Sequence, residues 1–155
     1  MSVNFGESGP AVRSGFEGEY DFCGAFECPV GAHDSRSAEQ WARSVFEQAP
    51  MPVRWFLLVG WRGVLGLRMG PRHDARHVLG WRIADARPDE LTLASDSWLI
   101  DAINVVQLHE GRVVWTTCVR YLSRFAPLVW AVVLPMHKVT VSLLLKRAAR
   151  SGADA

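Results

Sequence analysis

Polar and apolar positions alternate with a period of two through much of residues 78–122, and a long apolar stretch, FAPLVWAVVLPMHKVTVSLLLKRAAR, then runs toward the C-terminus. The alternation predicts strands, and the stretch is long enough for one helix. VLGWRIADA puts Leu79, Trp81 and Ile83 on one face and Gly80, Arg82 and Ala84 on the other, ahead of a turn at Arg87-Pro88-Asp89-Glu90. ELTLASDSW predicts the next strand, and DAINVVQL another after a bend or bulge near residues 97–99. A turn at His109-Glu110-Gly111-Arg112 leads into VVWTTCVRYL, where Val113, Trp115, Thr117, Val119 and Tyr121 alternate with Val114, Thr116, Cys118, Arg120 and Leu122. Arg120 should face water, so the Trp115 face is predicted to point inward. Consecutive strands with short turns predict an antiparallel meander.

Upstream, Tyr20, Phe22, Phe26 and Cys28 alternate with Asp21, Cys23 and Glu27, a first strand with an aromatic inner face that Pro29 ends. Ser37 and Gln40 have capping-box spacing, and Ala38, Trp41, Ala42, Val45 and Phe46 form the apolar face of a short helix that Pro50 terminates. Pro52 suits the first turn of a second helix, with Trp55, Phe56, Leu58 and Val59 predicted as its buried side. The glycines at 60, 63, 66 and 70 leave residues 61–69 open as helix, loop or both. In the final helix, Leu128, Ala131, Val132, Pro135, Val139, Ser142 and Leu143 fall on one stripe, predicted to be buried. Lys146, Arg147 and Arg150 favour its C-terminal end, and Pro135 should kink or divide it. Residues 1–18, rich in Gly and Ser, are expected to form a flexible leader, 19–150 a single domain, and 151–155 a flexible tail.

Composition narrows the function classes. With 155 residues, 49% of them hydrophobic, the chain has enough packing material for one sizeable core. A net charge of +1 supplies no overall field for nucleic acid, so none is expected as a partner. Three cysteines are too few for a disulfide scaffold, and alternation puts Cys23 and Cys28 on opposite faces. With no basic-then-apolar N-terminal pattern, a reducing cytoplasm is the expected location. Residues 125–145 could be taken for a membrane span. The uninterrupted apolar run is only 126–136, however, and His137 and Lys138 make spanning costly, so no stable insertion is expected; a peripheral role for the helix stays open. Seven Trp against two Tyr suit either core filling or a lined pocket.

Chemical signatures are sparse. His73 and His77 have helical ligand spacing but sit among arginines without an intervening Glu, so no metal is expected. The glycines do not form a dinucleotide fingerprint, and no cofactor is expected. Asp96 and Asp101 flank SWLI on opposite strand faces, which suits surface or turn roles better than a catalytic pair.

Strand, two helices, meander and long C-terminal helix together resemble the helix-grip arrangement of the START-like superfamily, which includes polyketide cyclases, aromatase-like domains, pollen-allergen relatives and lipid-transfer domains. Within it, YDFCGAFECPVGAHDSRSAEQWARSVFEQAP, DELTLASDSWLIDAINV and TTCVRYLSRFAPLVWAVVLPMHKVTV are similar to an uncharacterised bacterial family of small proteins, over about residues 19–149. The resemblance implies an α+β fold in which a curved antiparallel sheet wraps around the long C-terminal helix, with two short helices after the first strand. The superfamily usually has seven strands; five are readable here. It also implies a cavity between sheet and helix for a small hydrophobic or amphipathic molecule, but it brings no active-site signature. From the residues themselves, the candidate lining is Trp81, Ile83, Ile100, Ala102, Asn104, Trp115, Thr117, Val119, Val132 and His137, with Arg62 and Arg82 as entrance candidates for an anionic head group.

Binding or transport of such a molecule is the leading expectation. The alternatives are a cyclase- or dehydratase-type enzyme on a polyketide-like substrate, with His137 as acid or base, and an interaction module with a filled core using Trp61, Trp98 or Trp130 at a homodimer or partner surface.

Overall fold

The structure, a computed structural model, describes residues 4–8, 20–71 and 74–153. Seven strands form one antiparallel sheet: β1 (Asn4–Ser8), β2 (Phe22–Pro29), β3 (His77–Val78), β4 (Trp81–Ala86), β5 (Glu90–Asp96), β6 (Ile100–His109) and β7 (Arg112–Tyr121), in the spatial order β1-β2-β7-β6-β5-β4-β3. Helices α1 (Ala38–Phe46) and α2 (Met51–Val59) follow β2. A π-helical turn (Gly60–Val64) extends α2, and α3 (Ala126–Ala153) ends the chain. The curved sheet wraps around α3, which is the helix-grip arrangement.

Two of these strands were hidden in the sequence. β1 lies inside the stretch expected to be a flexible leader and pairs along β2 from Asn4 opposite Glu27 to Ser8 opposite Cys23; residues 1–3 and 9–19 lie outside the described residues. β3 was hidden because VLGWRIADA reads as one strand. The chain instead reverses at Leu79-Gly80, bringing Val78 opposite Trp81. Both turn residues have positive φ, 46° at Leu79 and 94° at Gly80, as a two-residue hairpin of this hand requires. Arg43 holds β3 from α1, donating 3.0 Å to the His77 carbonyl and, at 2.9 Å, to the Glu47 carboxylate.

The helices begin as the sequence indicates. Ser37 caps α1 in a reciprocal box with Gln40, and Pro52 sits in the first turn of α2. α3 runs through Pro135 as one helix, and residues 151–153 of the expected tail belong to it.

Two helix faces need correction. In α2 the buried residues are Leu57 and Leu58, while Trp55, Phe56 and Val59 face out. In α3 the buried face is Ala126, Trp130, Val141, Leu144, Leu145, Ala148 and Ala149, and the predicted stripe of Leu128, Val132, Val139 and Leu143 is 60–70% exposed. Both sides of α3 are apolar, so hydrophobicity alone could not set its rotation. What fixes it is the fit of Trp130 against Phe22, with ring centroids 5.4 Å apart, and of small Ala148 and Ala149 where the helix meets the body of the protein.

The main core lies between the concave sheet face and the helices. Phe26, Trp41, Leu91, Leu93, Trp115 and Leu145 are almost fully enclosed there, each worth about 1.5–3 kcal/mol on burial. Tyr20, Cys23, Ile103, Val105 and Cys118 form a smaller cluster on the opposite face. In it Cys23 and Cys118, register partners on β2 and β7, are joined by a disulfide, and Cys28 remains a free thiol in the main core. Cys23 and Cys28 do face opposite ways, but the cystine runs against the reduced state expected from the cysteine count. Strand order supplied the partner, which lies 95 residues away in sequence.

Candidate ligand-binding site

A cavity of about 160 Å³ lies between the concave sheet face, the α2 and π-turn segment, and α3. Its floor is made by alternate inward residues of β6 and β7: Ile100, Ala102 and Asn104 from one, Thr117 and Val119 from the other. The register sets Asn104 opposite Thr117 and Ala102 opposite Val119, so one continuous patch results. Trp81 of β4, Phe46 of α1 and Trp61 of the π turn close one end as an aromatic wall. Trp61 meets Trp81 at 90° with centroids 5.5 Å apart, and Phe46 at 75° and 5.1 Å. Such edge-to-face contacts add to simple burial. Trp130, Val133, Met136, His137 and Thr140 of α3 form the roof.

Asn104 is the main polar group of the floor. Its Oδ1 accepts from Trp115 Nε1 at 3.1 Å and from Thr117 Oγ1 at 2.6 Å. Two donors converging on that oxygen fix the orientation of the amide, which leaves Nδ2 as the donor not used in these contacts. Three of the lining residues, Trp81, Trp130 and His137, each have a ring nitrogen (Nε1, Nε1 and Nε2) that is shut off from solvent and has no hydrogen-bond partner among the described residues. The His137 residue as a whole is half-buried, but its ring packs against Phe26 and Trp130, with centroids 5.7 and 5.4 Å away. Desolvation there pushes its pKa from the ordinary 6.5 down to about 4, so the imidazole is neutral at physiological pH.

Of the residues expected from sequence to line a cavity, the structure brings together Trp81, Ile100, Ala102, Asn104, Thr117, Val119 and His137. Three lie elsewhere. Trp115 is fully enclosed beneath the floor, where it supports Asn104. Ile83 is half-buried against the core near a register shift in β4. Val132 points outward, 70% exposed, because α3 is rotated from the expected phase. Arg62 is exposed on the π turn, between the cavity-lining residues Trp61 and Val64. Arg82 is not at this entrance. As the neighbour of inward-facing Trp81 it emerges on the opposite side of the sheet, in a groove with Arg68, Asp96, Asp101 and Arg120. Asp96 and Asp101 do meet there as register partners, because the hairpin over residues 97–99 folds one onto the other; Arg68 and Arg120 each lie 3.6 Å from one carboxylate.

Residues 17–143 match the family described as protein of unknown function, DUF2867. The chain belongs to this family. No curated protein matches this DUF2867 member. Two solved structures are similar to it in fold. Protein Ms6760 from Mycobacterium smegmatis is 14% identical with a TM-score of 0.43, over 83% of this chain and 88% of that one. CalU16 from Micromonospora echinospora is 14% identical with a TM-score of 0.36, over 99% of this chain and 95% of that one. At such distances neither carries a functional argument.

Sequence reasoning missed Phe46, Trp61, Trp130 and Thr140 as lining. Phe46 and Trp61 had signals, apolar positions at the end of α1 and in the glycine-rich stretch, but no register to place them. Trp130 and Thr140 lie on the side of α3 that the expected stripe assigned to solvent. Among the three tryptophans considered for an interaction surface, Trp130 is buried, Trp61 belongs to the cavity wall, and Trp98 is 68% exposed at the β5–β6 hairpin. His77 pairs with Asp74 at 2.9 Å, and His73 lies outside the described residues.

Proposed function

We propose that this protein binds a small, neutral, largely apolar molecule carrying a hydrogen-bond acceptor such as a carbonyl oxygen, held between the sheet and α3. The observation that carries this reading is that three residues lining one apolar cavity, Trp81, Trp130 and His137, each keep a buried ring nitrogen without a hydrogen-bond partner among the described residues. Each buried indole N–H left unpaired costs about 1–3 kcal/mol, a cost that a ligand oxygen reaching it would remove, and His137 Nε2 adds a third polar atom whose role follows its tautomer. Among the described residues of the lining His137 is the sole ionisable side chain, and neutral as it is it does not offset a charge on the ligand. The free space suits a ring-sized group, since about 150 Å³ of apolar cavity accommodates benzene. A longer molecule would extend through the mouth between α2 and α3.

The enzyme alternative has one observation in its favour, His137 in the cavity lining with no hydrogen-bond partner at Nε2 among the described residues. A pKa near 4 makes it a weak base, and its ring neighbours are Phe26 and Trp130, with no carboxylate to orient it or raise its basicity. Binding without turnover therefore fits the chemistry better. A cytoplasmic carrier is part of the proposal.

The test compares acetophenone with isopropylbenzene, which replaces the carbonyl oxygen by a methyl group. Acetophenone should shift the indole N–H resonances of Trp81 and Trp130 and the ring signals of His137, and bind more tightly. Equal binding of the two compounds, or shifts confined to Trp98 and other surface sites, would remove the basis for the reading.

A further inference from the structure

Among the described residues, ten of the thirteen exposed large hydrophobics lie on α2, its π turn and α3. On α3, residues 128, 132, 136, 139 and 143 recur at intervals of four and three, a single stripe down the outer side of the helix. On the other segment Trp55, Val59 and Val64 are more than half exposed. The two sets meet at the cavity mouth: Phe56, Val64 and Met136 are at once exposed and part of the cavity lining. Soluble monomers seldom show a contiguous apolar surface of this kind without a use for it.

Charge separates the possible occupants. Residues 51–64 and 126–153 carry Arg54, Arg62, Lys138, Lys146, Arg147 and Arg150 and not one Asp or Glu, although the chain as a whole has 17 basic and 16 acidic residues. A symmetric pair of copies joined through this face would set cation against cation, with no acidic residue in these two segments to answer. An anionic surface would match it. We propose that the α2 and α3 face docks flat on a bilayer containing anionic phospholipid, with the apolar stripe in the interfacial region and the basic residues among the headgroups. Spanning is a different matter. α3 is long and apolar enough to cross a membrane, but its other side, Trp130, Val141, Leu144, Leu145 and Ala148, is committed to the grip of the sheet. In the docked orientation the cavity mouth faces the lipid, so an apolar ligand would pass between bilayer and cavity without crossing water; that consequence rests on the proposed function, whereas docking itself does not.

The full chain is floated with vesicles of phosphatidylcholine alone and of phosphatidylcholine mixed with phosphatidylglycerol. Binding is expected to the mixed vesicles and to weaken as salt rises. The variant Val132→Ser/Val139→Ser/Leu143→Ser, whose exposed positions leave the core untouched, should lose at least roughly tenfold in partitioning. Arg150→Glu, exposed on α3 and outside the cavity lining, should lose roughly tenfold on the mixed vesicles alone. Unchanged far-UV circular dichroism and an unchanged acetophenone response in these variants separate loss of docking from loss of fold or of ligand binding. Two results would overturn the proposal: equal flotation of the triple variant, or absence of flotation with the mixed vesicles; a dimer in sedimentation that the triple variant abolishes would then assign the face to a second copy. If acetophenone fails to bind while docking persists, the proposed ligand falls and the membrane face stands.

Discussion

Acidification should destabilise this protein through His137, and the size of the effect follows from where the ring lies. In the unfolded chain the imidazole titrates near 6.5; in the folded protein, enclosure by Phe26, Trp130 and the apolar cavity walls holds it near 4. The folded pKa is the depressed one, so the unfolded state takes up the proton first as pH falls. Stability from this group is fully present above pH 6.5 and is lost progressively down to pH 4. The gap is worth about 3 kcal/mol in all, of which about 2 kcal/mol would be gone by about pH 5.

 Urea unfolding at about pH 7.5 and about pH 5 for the native chain and His137→Leu measures it. The native protein should lose about 2 kcal/mol more than the variant between the two conditions, while Asp34 and Asp74, whose carboxyls are held below their usual range by Arg36 and by His77 with the Arg76 amide, act equally in both. Parallel pH dependence in the two proteins would show that the ring is solvated, and the cavity roof would then be wrongly drawn.

Two further predictions concern the scaffold. Reducing the Cys23–Cys118 bond, which closes a separation of 95 residues, should remove up to about 4–5 kcal/mol of chain-entropy stabilisation; urea unfolding with and without reductant reads the loss, and labelling of all three cysteines in unreduced, denatured protein would contradict the bond. Gly80→Ala should cost more than about 1 kcal/mol, because φ is 94° and the added carbon would meet Met69 Cβ at 3.1 Å, whereas Gly63→Ala, with open space around it, should lie close to neutral. Equal urea midpoints for the two variants would argue against the tight turn between β3 and β4.

The sheet was legible wherever alternation was long. Trp115, Thr117 and Val119 share the inner face, as the outward Arg120 implied, and Asn104 joins them once the register is known. The capping box at Ser37 and the proline at 52 marked helix starts for local reasons that packing did not override. What failed was any choice that depended on a partner distant in sequence. α3 is apolar all round, so Val132 and Trp130 were exchanged between outside and inside. Leu79 gave no turn signal, since a leucine at positive φ contradicts its own preference. β1 shows no apolar alternation in NFGES and is placed by its backbone pairing with β2. Cys118 was assigned to the outer face of β7, but only the sheet order puts it beside Cys23.

The most direct measurement for the central claim is native mass spectrometry of the protein purified from its own cells, followed by denaturing extraction and identification of small molecules. A neutral, mainly apolar compound with a carbonyl or similar oxygen should appear at one per chain, and Trp130→Phe combined with His137→Leu should reduce its occupancy. A stoichiometric ligand bearing a charge, or bare protein that also leaves the Trp81 and Trp130 indole signals unmoved by acetophenone, would contradict the account.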